Sequence, residues 1–400
     1  MESRLYKIVL LFYLFYSPVL LSRETRDFVY YNQATYDHYL REEWDQLIKV
    51  AHEALNSGYD FYYLRARLGI AFYEKGIYTS AIIHFKKALI FNSTEPAMLE
   101  YLYYAYILAS RHPDAAYLFH NHQEIFGNIR LDYQPKFIDG LGFEGTYKWS
   151  NHMTEEGVEI GNVLYGRIGF QHNLGGRLNL IHFAGLLSMA ITDKYYDENY
   201  YICYPYHFYQ FDYYAKLNLL LGTGWVVSPA FHFTGVDAVS SHYADIYFGL
   251  GIRKRLGRIS IGFNYGYADI YDKTIKQYVP EIVYYPLGNN KLYLTGTAIF
   301  STGDADQQVY MGSAGVRVFP VTWIEGFFAG GKSQYVSLFE GALIYNNPDY
   351  LQSRTGCSLT QYLNSKTSLQ FFYVAEKKEQ TVSGDHYTQH VFSLGLNLKF

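Results

Sequence analysis

The chain has 400 residues, with 33 Lys and Arg against 37 Asp and Glu and a formal net charge of −4, which leaves no basic footprint for nucleic acid. Tyr accounts for 45 residues and aromatics for 19 % of the chain, whereas charged residues make up only 18 %. An intracellular enzyme seldom needs so many rings; amphipathic aromatics in this number suit a boundary between water and hydrocarbon.

At the amino end, Arg4 and Lys7 precede an apolar run from Ile8 to Leu21, about the length of a signal-peptide core and too short to span a bilayer as a helix. This predicts a signal peptide over residues 1–22, removed near Ser22. Leu20 stands where a small residue is preferred, so an uncleaved anchor is the alternative, and no Cys follows the run to suggest a lipid-modified start. No later segment is long and apolar enough for a membrane helix; the best, Ala97 to Ala109, is broken by Glu100. Any crossing of a membrane is therefore expected to use strands.

From about residue 28 to 130 the spacing is helical. Trp44, Leu47, Ile48, Ala51, Ala54 and Leu55 fall at three- and four-residue steps and end at Gly58. Leu68, Gly69, Phe72, Gly76, Tyr78, Ala81, Phe85 and Ala88 then stand at tetratricopeptide-repeat spacing, in which small residues let two antiparallel helices approach and larger ones fill the groove. A 34-residue step reaches Leu102, Tyr106, Ala115 and Phe119 in one direction and Trp44, Leu47, Ala51 and Ala54 in the other, so three units are expected, 28–61, 62–95 and 96–129. Arg65 replaces the Trp of the repeat pattern, and its closing Pro is displaced to Pro96. Such an array either packs only on itself or offers a concave groove to a periplasmic partner, a protein or polysaccharide.

From Phe137 to Phe400 the period drops to two. Residues 259–267 set Ile259, Ile261, Phe263, Tyr265 and Tyr267 against Ser260, Gly262, Asn264 and Gly266; residues 211–221 set Phe211, Tyr213, Leu217, Leu219 and Leu221 against Asp212, Lys216 and Asn218. Runs of about ten residues with lipid on one face and water on the other describe an all-β antiparallel transmembrane β-barrel. Short connections at 175–176, 222–224, 256–258, 286–290 and 364–365 alternate with longer polar ones at 151–160, 191–205, 301–307 and 376–385, which places both chain ends on the short-turn side, expected to be periplasmic. Parity requires an odd number of strands from Val321 to Tyr345; one strand interrupted near Gly330-Gly331-Lys332 makes fourteen, with twelve and sixteen as alternatives.

The inward positions include Glu144, Lys148, Arg167, Asp212, Lys216, Asp245, Arg253, Arg317, Arg354, Gln370 and Lys399, a mixture of signs that either lines a watery passage or pairs and closes it. Among groups that could do chemistry, Ser241-His242 with Asp245 and Asp385-His386 with His390 are candidates, but neighbours in a strand point to opposite faces. His120 and His122 lack the four-residue spacing of a helical metal pair, and Gly330-Gly331-Lys332-Ser333 lacks the upstream Gly of a phosphate loop. Neither a catalytic or metal site nor a cofactor is expected, and Cys203 and Cys357 are expected to stay unpaired.

The last ten residues place Phe392, Leu394, Leu396, Leu398 and Phe400 on one face, and Val391, Ser393, Gly395, Asn397 and Lys399 on the other. This resembles the closing strand of bacterial outer-membrane barrels, which ends in Phe and is read by the barrel-assembly machinery. Together with Phe319 to Gly331 and Tyr345-Asn346-Asn347-Pro348-Asp349-Tyr350, it makes residues 137–400 similar to the YaiO-type outer-membrane barrel family, some members of which carry tetratricopeptide repeats ahead of the barrel. The resemblance implies an outer-membrane location and this fold, and no substrate. The expected function is that of a non-enzymatic barrel whose repeats dock a partner and whose lumen passes a polymer, resembling exopolysaccharide porins, or a solute. A structural anchor and a lipid-modifying barrel enzyme are the alternatives.

Overall fold

The computed structural model describes residues 26–129, 131, 135–150, 157–197, 200–222, 224–238, 241–347, 349–381 and 383–400; the expected signal peptide lies outside these. Six helices form three antiparallel pairs: α1 (Phe28–Leu40) with α2 (Trp44–Asn56), α3 (Tyr62–Glu74) with α4 (Tyr78–Phe91), and α5 (Pro96–Leu108) with α6 (His112–Asn121), followed by a single turn, α7 (Gln123–Phe126). Both the first and the second helices of the pairs begin 34 residues apart.

Local chemistry sets these ends. The Asp27 side chain accepts from the Tyr30 amide at 2.9 Å and caps α1, and Pro96 opens α5, where no amide is needed. Gly58 (φ 87) and Gly76 (φ 71) stop α2 and α3 in the left-handed conformation. The repeat spacing has a direct packing reason at one position: a Cβ on Gly69 would stand 2.5 Å from Phe85 Cδ1, so α3 and α4 close only over a glycine. Ala81, Phe85 and Ala88 are buried in that contact, with Phe72 and Tyr78 at its margin, while Leu68 is buried on the other side of α3 against Leu47, Ala51 and Ala54.

The barrel is closed and antiparallel with fourteen wall strands. In chain order they are β1 (Ile138–Ser150), β2 (Gly157–Asn173), β3 (Leu178–Asp197), β4 (Tyr200–Leu220), β5 (Trp225–Ala238), β6 (Ser241–Leu256), β7 (Ile259–Ile270), β8 (Lys273–Tyr284), β9 (Leu292–Gly303), β10 (Gln307–Phe319) and β11 (Thr322–Ser333). After two short strands inside the barrel, β12 (Val336–Leu338) and β13 (Leu343–Tyr345), the wall resumes with β14 (Tyr350–Tyr362), β15 (Thr367–Glu379) and β16 (His386–Lys399). Each wall strand pairs with its chain neighbour, and β16 returns to β1 from Gly140↔Lys399 to Ser150↔Gln389, so no edge is left unpaired. Among the described residues no helix is long and apolar enough to cross a membrane.

The alternation sorts as hydrocarbon outside and polar groups inside require. Phe392 and Leu394 are half exposed on the outer face, as are Ile261 and Phe263, whereas Ser260 and Asn264 are buried within.

The connections differ from the expected pattern. Residues 191–197 and 200–205 are paired strand, with register from Ile191↔Tyr206 to Asp197↔Tyr200; β9 runs to Gly303 and β15 to Glu379. Residues 151–156 of the first long loop lie outside the described residues, and β2 already begins at Gly157. Polar composition marks solvent, and two solvated strands still satisfy each other's backbone, so the hairpins continue past the apolar belt. At the same end, Tyr271 (φ 53) and Asp272 (φ 57) join β7 to β8 as a two-residue turn, so lengths do not simply alternate. Nor is 321–345 a single interrupted strand. β11 continues through Gly330-Gly331-Lys332 to Ser333 with a register shift against β14, and the rest leaves the wall.

Candidate functional site

After Ser333 the chain turns into the lumen as a hairpin, β12 paired with β13. On one side Val336, Leu338 and Tyr345 pack with Ile299, Val309, Ala329 and Leu351 of the wall. Gln334 and Gln307 exchange two hydrogen bonds of 2.7 Å at the point of entry. The turn itself runs through Phe339 (φ 53), Glu340 (φ 55) and Gly341 (φ 86), and two successive left-handed non-glycine residues persist only where surroundings hold them.

Those surroundings are the inward side chains of β4, β5, β6 and β8. Arg253 Nη2 donates to Glu340 at 2.7 Å and pairs with Glu281 at 3.2 Å, and Lys216 also pairs with Glu340. His232 Nδ1 donates to the Gly341 carbonyl at 2.6 Å, and Tyr214 donates to the Glu340 carbonyl at 3.3 Å. Gly341 lies on the Tyr247 ring with no room for a Cβ. On the returning limb, Asn346 donates to Gln210 (3.2 Å) and Asp245 (3.1 Å), and Tyr387 donates to Asp349 at 2.6 Å.

The inward candidates thus fall into groups. Lys216 and Arg253 meet at the hairpin tip; Asp245 holds the returning limb through Asn346 and accepts from the Tyr271 amide at 3.0 Å, while Asp212 accepts from Thr234 of the wall at 2.9 Å. Glu144 pairs with Arg167 at 2.5 Å. Arg354 pairs with Glu376 at 3.0 Å, and Lys378 with the same Glu376 at 3.2 Å. Lys148 lines the same cavity as this last group. Arg317 and Lys399 stand apart, at the short-turn rim, where Arg317 donates to the Pro320 carbonyl. Gln370 sits between β14 and β16 opposite Thr360 and Gly395.

Beside the hairpin the lumen keeps a cavity of about 590 Å³, bounded by Leu343 to Asn347 of the hairpin and by the inward residues of the surrounding wall. The helical region covers the other, short-turn mouth. The Thr79 amide donates to the Gly288 carbonyl at 2.9 Å, Asn289 to the Gly76 carbonyl at 2.9 Å, Arg177 to the Tyr117 hydroxyl at 2.8 Å and Arg255 to the Ala109 carbonyl at 3.3 Å. Asn290 also bonds Ser110. Three strand-to-strand turns are therefore tied to α4, α6 and their flanking residues.

The residues considered for hydrolysis are not brought together. His242 is 80 % exposed and pairs with Asp237 at 3.0 Å, while Asp245 is committed to Tyr271 and Asn346; the Ser241 side chain lies outside the described residues. His390 bonds the Tyr373 hydroxyl at 2.9 Å and stacks on Trp149 at the outer surface. Among the described residues no His, Cys, Asp and Glu cluster could hold a metal. Cys357 is a free, exposed thiol, and the Cys203 side chain lies outside the described residues.

Sequence reasoning missed Glu340, Glu281, Glu376, Lys378 and Asn346. Three of them were within reach: the alternation of Ile275, Gln277 and Val279 places Glu281 inward, and that of Gln370, Phe372 and Val374, carried forward into the stretch read as a loop, does the same for Glu376 and Lys378. Glu340 and Asn346 had no such signal, because they leave the wall altogether.

No family model and no curated protein matches the chain. Solved structures similar to it include the Pseudomonas putida toluene transporter TodX, with a TM-score of 0.43 and 6 % identity over 72 % of this chain and 92 % of that one. The outer membrane protein Omp33 of Acinetobacter baumannii has a TM-score of 0.35 and 10 % identity, over 66 % of this chain and 99 % of its own. MamA of AMB-1 has a TM-score of 0.25 and 19 % identity, covering 28 % of this chain and 61 % of its own.

Proposed function

We propose that this is a non-enzymatic barrel of the bacterial outer membrane that passes a solute through a lumen gated by the hairpin of residues 334–349, with the helical repeats at the periplasmic mouth. The observation that carries the reading is the combination inside the barrel: a cavity of about 590 Å³ persists beside a hairpin whose tip is held by side-chain ion pairs and hydrogen bonds. An anchor needs only a filled interior. A gate needs an element that can leave, and a tip held by polar groups can exchange them for water at modest cost. A small solute fits this arrangement better than an extended polymer, because both the hairpin and the helical cap lie across the path.

The repeats are assigned a second part, docking a periplasmic protein or polysaccharide on the face turned from the barrel. Arg67 there lies between the rings of Tyr36 and Tyr63, at 5.0 and 5.4 Å, a pairing of cation and aromatic planes suited to a polar chain. The resemblance of residues 137–400 to YaiO-type barrels rests on the motifs given above alone, and that family supplies no substrate.

The test is vesicle flux of a small neutral sugar through the full chain, beside a variant in which residues 335–347 are replaced by a short Gly-Ser turn. Passage that rises in the variant supports the gate; no passage in either leaves the barrel as an anchor.

A further inference from the structure

We propose that the cavity beside the hairpin is a binding site for an amphipathic anion: an aliphatic chain ending in a carboxylate. This names the solute class for the passage proposed above and rests on that reading.

The two sides of the cavity differ in chemistry. On the β2 to β4 side, Val163, Leu187, Met189, Ile191 and Phe208 present an apolar surface, and Ile191 and Phe208 continue into a cluster with Val236. On the adjoining stretch of wall, β1, β14 and β15 present Lys148, Arg354, Glu376 and Lys378. Register explains the division. Lys148 stands opposite Val391 on one side and Val163 on the other, so it marks the seam at which the charged wall meets the apolar one.

The unmatched charge of the lining is positive. The cavity is lined by four cations, Lys148, Arg167, Arg354 and Lys378, and by three carboxylates, Glu144, Asp212 and Glu376. Each carboxylate is already engaged: Glu144 by Arg167, Asp212 by Thr234 and Gln210, and Glu376 by Arg354 and Lys378. The cations are not all engaged. Arg354 Nη1 is buried without a hydrogen-bond partner, and among the described residues Lys148 has neither a hydrogen bond nor an ion pair. Glu376 and Asp212 act on the Lys148 ammonium only through space, without contact, and cations outnumber carboxylates four to three in the lining, so an entering anion completes the pairing where a cation would oppose it.

A bare inorganic anion would leave the apolar wall wet. A carboxylate with an aliphatic chain satisfies both sides at once, its head at Lys148 and Arg354 and its chain along Val163, Met189 and Phe208. The volume falls within the range of small-molecule sites.

The experiment is equilibrium dialysis of radiolabelled decanoate, decanol and decyltrimethylammonium against the full chain in lipid nanodiscs, with empty nanodiscs subtracted. Saturable decanoate binding is expected, with decanol at least about tenfold weaker and decyltrimethylammonium not saturable. Lys148→Met should weaken decanoate by about tenfold and leave decanol unchanged, and Lys148→Arg should restore it. Heat-modifiable migration on gels reports that each variant is folded. Equal binding of the three probes, absence of saturable decanoate binding, or a folded Lys148→Met variant with undiminished decanoate affinity overturns the inference. Passage fails separately: decanoate that binds but crosses vesicles through neither the full chain nor the hairpin-replaced variant leaves the site standing and removes the gate.

Discussion

Glu340, at the tip of the hairpin folded into the lumen, accepts a hydrogen bond of 2.7 Å from Arg253 on β6 of the wall, 87 residues earlier in the chain. Lys216 on β4 reaches the same carboxylate, so one acidic side chain bridges two wall strands.

This makes Glu340 the latch of the proposed gate. Arg253 is partly solvated, which keeps the pair modest, so Glu340→Gln should cost the closed hairpin about 1 kcal/mol and raise neutral-sugar flux severalfold. Arg253→Gln should add little to that increase in the double variant, since both remove one contact. Flux unchanged by Glu340→Gln would show that the tip does not hold the gate.

In the helical region, Gly69 and Gly58 should respond differently. Gly69→Val drives its side chain into the Phe85 ring and should destabilise the α3–α4 pair by about 1–3 kcal/mol. Gly58 has open space around it but a φ of 87, so Gly58→Ala should cost only about 1 kcal/mol through backbone strain. Thermal melts followed by helical circular dichroism would rank the two; equal effects would contradict the packing account.

The docking of helices on the barrel runs through Gly288, whose φ is 68 and whose missing Cβ would stand 2.6 Å from Ile77 Cγ2. Gly288→Val should push the turn away from α4 and accelerate hydrogen exchange at the Thr79 amide, which otherwise donates to the Gly288 carbonyl. The barrel should keep its heat-modifiable migration. Protection at Thr79 that survives the substitution would place the docking elsewhere.

Acidification should loosen the repeats. Burial, with the Arg65 guanidinium donating toward its Nδ1, holds His84 down to about 4, below the ordinary 6.5. The unfolded chain therefore binds the proton first, so the contribution of His84 is whole above pH 6.5 and is lost as pH falls from there toward 4, by up to roughly 3 kcal/mol. Hydrogen exchange in α3 and α4 should be faster at pH 5 than at pH 7.5 after correction for intrinsic rates. His84→Gln should flatten that difference, and an unflattened difference would assign it to another group.

Much of this architecture was legible in residue order because it depends on local periods. The strands of the wall have hydrocarbon on one side and a polar interior on the other, so Ile259 to Tyr267 and Phe392 to Phe400 alternate visibly, and the 34-residue step between Trp44, Tyr78 and His112 reflects one helical pair stacking on the next. The odd number of strands demanded between Val321 and Tyr345 also came from local reasoning, since two ends on one side leave no other parity.

The interior was decided elsewhere. Val336, Ser337 and Leu338 are all buried, because a strand inside the lumen is covered on both faces and loses the period of two that would announce it. Which carboxylate meets Arg253 is likewise decided by the closed sheet: Arg253 finds Glu340 only once the wall surrounds the inserted hairpin, whereas Arg354 faces Glu376 within the one hairpin of β14 and β15. Residue order determined which side chains face lipid and which face inward, through the alternation that two solvents impose on one wall. Tertiary structure alone decided that the inward groups enclose a hairpin and a cavity, because those contacts join residues whose neighbours in the chain say nothing about one another.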